Sequence, residues 1–560
     1  MAPESSVAAP ASTAVPVFPA DWRFRPGRIG VEAPSAMVVS NSDLASAVGA
    51  DIMKRGGNAV DAAVAVGFAL TVTFPVAGNI GGGGFMVIRM ADGRTEALDY
   101  REVAPLAATR DMYLDANGKL TDRSIVGHLA VGVPGAVAGM AEALRKYGTM
   151  SLHDVMQPAI RLAADGFTVD SAMSRGLAAD SGLLTRFAGA QTFYPSGHPM
   201  SPGMSLRQPE LAHALAMIAD DGPKAFYSGA IADLLVAEMK RGGGIITKED
   251  LARYTPIWRA PIRGSYRGYS LLSMPPSSSG GVTMVEALNI LEGYDRLPPF
   301  ESAEYRHLFA EAFRRAFVDR NTKLGDPAFV SVPVGELTDK AYALRQRQSI
   351  AWDKATATPK FSNGARIGMH TTSYSVVDAA GSAVATTTTL NNGYGSGVFV
   401  TGAGFFLNDE MDDFAAQPGK PNMFGLIQGE SNAIAPGKRM LSAMTPTVVL
   451  DPQGRLLLVV GAAGGPTIIT GVAQVILNVI DHHMSLPDAM AAPRIHHQAW
   501  PDSIRYERGG LTAAVADSLR RMGHGLWQTG SLTNVNGIMR VSRGYVGVFE
   551  PRASGGAVGY

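Results

Sequence analysis

The chain has 560 residues, of which 46% are hydrophobic and 18% charged, enough apolar material for a large globular core and the wrong balance for disorder. Lys plus Arg and Asp plus Glu number 49 each, so no net field points to nucleic acid or an anionic membrane, and a small or neutral partner is favoured. Cysteine is absent, which removes a thiol nucleophile, a disulfide framework and thiolate metal ligation together and leaves the compartment open.

Met1 to Ala20 is rich in Ala, Pro and Ser, without a basic start or an apolar run of signal-peptide length, and residues 1–34 read as a flexible arm. Ala36 to Ser40 reads as a short buried strand, and Ser42 as the cap of a helix from Asp43 to Arg55 that ends at Gly56-Gly57. The longest apolar run, Ala59 to Val72, contains Asp61 and stops at Pro75. It is short of the ~20 residues a membrane span needs, and it reads as a buried helix begun by Asn58. Gly78 to Gly84 looks like a phosphate-cradling loop, but its glycines precede the strand Phe85 to Met90, the reverse of nucleotide-site order. Close backbone packing is the better account. That strand and Thr95 to Tyr100 form a hairpin around Ala91-Asp92-Gly93, leaving Arg101 at its exit, where a lone arginine reads as a solvated charge or a salt bridge.

From Pro134 to about Asn321 the pattern is mainly helical. Ala136 to Lys146 stops before Gly148, Leu152 to Asp165 stops before Gly166, and Thr247 to Asp250 reads as a variant capping box. Met274 to Gly281 opens a helix through Leu291, and its Ser277-Ser278-Ser279 run lacks the Gly-x-Ser-x-Gly of a nucleophile elbow, so it reads as scaffold, capping and loop. Lys354 to Arg366 is polar, small and turn-rich, as an accessible, cleavable loop is.

Met369 to Asp378 is the stretch on which the chemistry turns. A threonine hydroxyl is a poor nucleophile without a base in reach, and cutting the chain before Thr371 would free an α-amine on that same residue. Such an amine titrates near neutrality, so Thr371 would serve as nucleophile and base. The β-branched alternation alone fits a half-buried strand equally well, and periodicity does not choose. Thr371 to Asp378 and Ser382 to Asn391 form a hairpin through Ala379-Ala380-Gly381, with the polar run Thr386 to Thr389 in its second strand. Leu441 to Leu450 and Arg455 to Gly461 form another around Pro452-Gln453-Gly454, leading into Ala462 to Pro466 and a helix from Thr467 to Asp481. Gly464 and Gly465 there let two backbone N–H groups point at one spot beside a helix N-terminus; an oxyanion would sit well in it, and a tight strand-to-helix turn fits the pattern too. His482-His483 and His496-His497 lack Cys partners or a His-Glu-x-x-His frame and read as surface or packing histidines, so no metal and no cofactor is expected.

Thr371 to Asp378, Asn391 and Leu407 to Phe414, together with Gly57 to Ala63, Gly81 to Phe85 and Leu98 to Glu102, resemble in order the γ-glutamyltransferase (γ-glutamyl transpeptidase, glutathione hydrolase) family of N-terminal nucleophile hydrolases. The likeness covers nearly the whole chain. It implies an α+β fold, a four-layer αββα sandwich with helices outside two antiparallel sheets. It also implies self-cleavage between His370 and Thr371 into a large subunit, 35–370 after the arm, and a small catalytic subunit, 371–560. The two would remain one interleaved unit, a heterodimer of the chain's own fragments. By the same resemblance Thr371 is the nucleophile, Thr389 supports its hydroxyl, and Gly464 and Gly465 form the oxyanion hole. Arg101 and Ser442 face the substrate's α-carboxylate, and Asp413 with Asn391 and Glu410 faces its α-ammonium. The substrate is glutathione or another γ-glutamyl compound, and the acyl group passes to water or to an amino acid or peptide acceptor, with no nucleic acid and no membrane span involved. Export to the periplasm or beyond is implied too, although no intact signal peptide is present.

Three positions depart from the family pattern. Ala443 follows Ser442 where a second serine is usual, Ser373 stands where histidine is common, and Phe424 occupies a tyrosine place in the lid-length loop Gln417 to Ile434. Two other functions stay open at this point. A cephalosporin (glutaryl) acylase of the same superfamily would use Thr371 on an amide lacking the α-ammonium and make Asp413 dispensable. A non-catalytic solute-binding homologue would remain one uncut chain.

Overall fold

Short strands scattered along the chain hydrogen-bond into two seven-stranded sheets, and the chain is α+β. The structure, a computed structural model, describes residues 16–27, 30–187, 189–358 and 371–560. The sheet that carries Thr371 runs, in spatial order, β14 (Gly556–Gly559), β2 (Met37–Ser40), β8 (Thr372–Val377), β9 (Ala383–Thr389), β3 (Gly83–Arg89), β4 (Thr95–Tyr100) and β5 (Ile257–Arg259). The other runs β1 (Val31–Ala33), β13 (Gly544–Val548), β12 (Asn534–Val541), β11 (Leu456–Ala463), β10 (Thr447–Leu450), β7 (Tyr269–Ser273) and β6 (Ile262–Tyr266). Every pairing within both is antiparallel.

Period-two alternation divides the core. Val377, Ala383 and Ala385 join Leu458, Val460 and Leu272 of the other sheet, whereas Val376, Val384 and Tyr374 face a helical cluster. That cluster holds α1 (Asp43–Lys54) and α2 (Ala59–Thr73). Against the other sheet pack α3 (Gly280–Glu292) and α5 (Thr467–Ile480), with α4 (Ala303–Lys323) laid on α3. No helix among the described residues is long and apolar enough to cross a membrane.

Local chemistry accounts for the helix starts. Ser42 Oγ accepts from Ala45 N at 3.3 Å, and Asn58 with Asp61 forms a full capping box. All fifteen residues of α2 are buried, and Asp61 is tolerated because Asn58 N, Thr149 N and Oγ1 and Met150 N all donate to it. The glycines at the start of β3 are there for close approach: a Cβ on Gly82, just before the strand, would lie 2.2 Å from the Thr389 carbonyl oxygen, and one on Gly84, within it, 2.5 Å from that of Thr387.

Three expectations differ from the structure. The region read as mainly helical also contains the edge strand β5 and the β6–β7 hairpin, short segments of three to five residues with no long apolar run to mark them. The strand expected from Leu441 begins at Thr447, because residues 441–446 spend their backbone on the Ser277–Ser279 segment instead. Of the stretch read as an arm, residues 1–15 lie outside the described residues, but Trp22 is buried with Nε1 donating to Ala491 O at 2.8 Å, and β1 pairs with β13. His370, and with it one side of the expected junction, lies outside the described residues as well. β8 and β9, from the chain after residue 370, sit between β2 and β3, from the chain before it, so the sheet is complete only with both parts.

Candidate active site

The β8–β9 hairpin brings two threonines together. Thr372 pairs with Thr388, so Thr371 and Thr389 flank the open end, with hydroxyl oxygens 3.4 Å apart. Asn391 N donates to Thr389 Oγ1 at 2.7 Å, occupying one lone pair and leaving the Thr389 proton and its second lone pair for the contact with Thr371. Asn391 holds a left-handed φ of 76°, a conformation asparagine tolerates better than most residues, and its Nδ2 donates to Asp409 O.

Arg101, Thr371, Thr389, Asn391, Glu410, Asp413, Ser442 and Gly465 all line one small cavity, and Gly464 adjoins Gly465 in the chain. All nine residues singled out in the sequence are therefore in one place. Arg101, 1% exposed, approaches Glu410 at 2.7 Å and Glu102 at 3.6 Å, and its Nη2 donates to Asp413. Two buried carboxyls and the half-buried Asp413 share one guanidinium, and the balance tips against full ionisation. Burial pushes Glu102 up to about 7 and holds Glu410 well above the usual carboxylate range, while the same acids raise Arg101.

Ser442 is framed by the serine run that the sequence reading left as scaffold. Its N donates to Ser277 O at 3.0 Å, and its carbonyl accepts from Ser279 N at 2.8 Å and Ser279 Oγ at 2.6 Å. Ser279 stands at the cap position of α3, yet its hydroxyl serves Ser442 and not the helix. Ser442 Oγ accepts from Met444 N at 3.0 Å, which leaves its proton for the cavity.

β11 is followed by Gly464 and Gly465, with φ of 134° and 57°, before α5 starts at Thr467. The Gly464 carbonyl accepts from Thr467 Oγ1 at 2.8 Å. Neither glycine N–H donates to any acceptor among the described residues. Two unspent N–H groups beside a helix N-terminus are what a developing oxyanion requires. The Phe424 ring covers this corner, 2.9 Å from where a Gly465 Cβ would stand.

Arg320, from the last turn of α4, also lines the cavity, and the sequence reading did not single it out. No sequence signal marks it, since α4 carries charges on every face and most of them are buried. The histidine pairs are packing groups. His482 stands edge-on to Tyr305 with centroids 4.7 Å apart, and His496 bonds Thr470 Oγ1 and Gln498 Oε1, each at 2.8 Å. His307, Glu311 and His524 cluster elsewhere, but Arg314, Arg315 and Thr356 take the Glu311 oxygens, and two guanidiniums repel a cation.

A sequence model of the family described as Gamma-glutamyltranspeptidase matches residues 45–560. The chain belongs to the gamma-glutamyltranspeptidase family. Within it, the chain is 48% identical over 512 residues to the glutathione hydrolase proenzyme of Escherichia coli (strain K12), covering 90% of this chain and 87% of that one. It is 42% identical over 498 residues to the acylase ACY 1 proenzyme of Pseudomonas sp. (strain SE83), covering 87% and 86%. The solved cephalosporin acylase from Bacillus halodurans superposes with a TM-score of 0.85 at 30% identity over 99% of both chains. The family thus contains names from both reaction types weighed above, and the substrate question passes to the cavity.

Proposed function

We propose that the protein is an autoprocessed γ-glutamyltransferase and glutathione hydrolase. The observation that carries it is the 3.4 Å pair Thr371–Thr389 in a cavity that also holds Arg101, Asp413 and the unspent N–H groups at Gly464 and Gly465. In the precursor, Thr371 Oγ attacks the His370 carbonyl, the peptide shifts to an ester, and water releases residues 1–370 from a new N-terminal Thr371. Its amine takes the hydroxyl proton as the oxygen attacks the γ-carbonyl of the donor. Gly464 and Gly465 hold the oxyanion, the amine returns the proton to the leaving amino group, and a γ-glutamyl ester remains on Thr371. Water, or the amine of an amino acid or peptide, then takes the acyl group.

Support for a γ-glutamyl over a glutaryl donor comes from charge. The cavity sets Asp413 beside Arg101, one group of each sign as an α-amino-acid head requires, whereas a glutaryl group brings no cation to face Asp413. On this reading Arg101 and Ser442 face the α-carboxylate, and Asp413, Asn391 and Glu410 face the α-ammonium. The two fragments, 35–370 and 371–560, form a heterodimer in the four-layer αββα sandwich of the N-terminal nucleophile hydrolases, supported by the helices packed outside the paired sheets. Export to the periplasm or beyond belongs to the same reading on family resemblance.

Denaturing electrophoresis with mass measurement tests it. Active enzyme should give a light fragment beginning at Thr371, and a Thr371→Ala chain should stay uncut and inactive. An intact chain in active preparations, or turnover by that variant, refutes the reading.

A further inference from the structure

Away from the catalytic cavity, a buried arginine stands without a counter-ion at the start of α4. Arg306, the fourth residue of that helix, is 2% exposed. Neither its Nε nor its Nη1 has a hydrogen-bond partner, and among the described residues no carboxylate forms an ion pair with it. Its Cζ lies 4.2 Å from the centre of the Phe300 ring and 5.3 Å from that of Tyr305. Ring faces attract a cation, but they are poor acceptors for its N–H groups. Burial lowers the proton affinity of Arg306 to about 10, with Tyr305 and Glu301 opposing the change. A buried guanidinium without a paired counter-charge destabilises the fold on its own account.

The side chains around it have the same shortage. Tyr305 is fully buried and its hydroxyl has no partner, and the buried Nε2 of His482 has none either. The His482 ring stands edge-on to Tyr305 at 4.7 Å and to Phe300 at 5.5 Å, and Phe300 and Tyr305 are 5.9 Å apart, so the four side chains form one knot. Every unspent polar atom in that knot can donate. A guanidinium does nothing else, a phenol hydroxyl carries one proton, and a neutral imidazole donates from Nε2 in one of its two tautomers. Burial, and then the positive charge of Arg306, holds His482 down to about 4, so near neutral pH it adds a donor and no second charge. The neighbouring acid Asp481 is already engaged, accepting from Tyr266 Oη at 2.7 Å and Arg267 Nε at 3.1 Å.

Buried donors are rarely left unpaired in native proteins, and a set of donors around one positive charge calls for a partner that only accepts. Water would bring two protons of its own to place; an anion brings none. Tyr305 and Arg306 also belong to the first turn of a 21-residue helix, the end that favours negative charge. Exposures of 0% and 2% leave access only to a small ion.

We propose that Arg306, Tyr305 and His482 form a buried binding site for a small monovalent anion of the chloride class, which supplies the counter-charge of Arg306 and stabilises the folded protein. The site is independent of the γ-glutamyl reading. Arg320, which lines the catalytic cavity, lies fourteen residues further along α4, about 21 Å at 1.5 Å per residue, so the anion acts on stability and not on the reacting atoms.

Thermal unfolding at constant ionic strength, with sodium chloride replacing sodium gluconate, tests it. In wild type the melting temperature should rise with chloride and then level off, as for a ligand bound by the folded state alone. Arg306→Met keeps a long apolar side chain and removes the charge, and its melting temperature should not respond to chloride. Tyr305→Phe keeps the ring and removes one donor, and should raise the half-saturating chloride concentration about 3- to 10-fold. No saturable response in wild type, or the same response in Arg306→Met, overturns the proposal and leaves Arg306 held by ring faces alone. If Arg306→Met yields no folded protein, Tyr305→Phe decides: a half-saturating concentration raised about threefold or more supports the site, and a smaller shift overturns it.

Discussion

The hydroxyl of Thr371 lies 3.4 Å from the hydroxyl of Thr389 across the open end of the β8–β9 hairpin, and Asn391 N holds the Thr389 oxygen in place by donating to it at 2.7 Å. A Thr389→Ala chain loses the donor to the attacking oxygen in self-cleavage and in acyl transfer alike. Both rates should fall about 10- to 100-fold, and Thr389→Ser should keep most of each. Time courses of fragment appearance and kcat at saturating donor measure them. Wild-type processing by Thr389→Ala would show that the contact carries no catalytic weight.

Gly465 combines a left-handed φ of 57° with the Phe424 ring 2.9 Å from any added Cβ. Gly465→Ala should therefore shift one oxyanion donor and lower kcat by about 10²- to 10³-fold, with KM changed far less. Adding Phe424→Ala to that chain removes the steric partner and should return part of the activity. Full kcat in Gly465→Ala would put the oxyanion elsewhere.

Asp413 touches Arg101 Nη2 and stands on the cavity wall, where its charge serves a donor's α-ammonium. Asp413→Asn should cut kcat/KM on a γ-glutamyl anilide by about 100-fold while sparing a glutaryl anilide, because only the first donor brings a cation. Parallel assays on the two anilides read the ratio. Equal losses would mean that Asp413 acts through Arg101 alone.

His482, His497 and His524 are held down to about 4, about 4 and about 3, in each case chiefly by loss of solvation. Unfolded, each titrates near ~6.5, so between about pH 6.5 and 4 the unfolded chain binds protons that the folded one refuses. Stability from this source is present above pH 6.5 and declines as the pH falls, by about 1.4 kcal/mol per pH unit for each histidine. The melting temperature should drop steadily from pH 7 to 4.5, and His524→Gln should make the drop shallower. A flat profile over that range contradicts the buried neutral state.

What could be read without coordinates was local or carried by motif order. Ser42 and Asn58 announce helix starts because a cap bonds two or three residues on, and Thr371 to Asn391 announces a hairpin because strand, turn and strand are contiguous. Gly82 and Gly84 were legible as close-packing glycines, but not their partners Thr389 and Thr387, three hundred residues on. The β6–β7 hairpin escaped notice because each strand is only five residues long and mixes polar with apolar side chains, so neither carries a sustained apolar run. The serine run 277–279 was legible as scaffold, while its grip on Ser442 was not, since that bond spans |i−j| = 163.

By itself the sequence determined the family, the helix caps, the central hairpin and the nine residues worth watching, all of which depend on neighbours in the chain or on ordered motifs. Only the tertiary structure decided that eight of those nine line one cavity, that Arg101 is crowded by acids while Arg320 beside it is not, and that Phe424 lies on Gly465. Such relations are set by strand pairing and side-chain packing between distant segments, and neither leaves a period or a spacing in the sequence to be read.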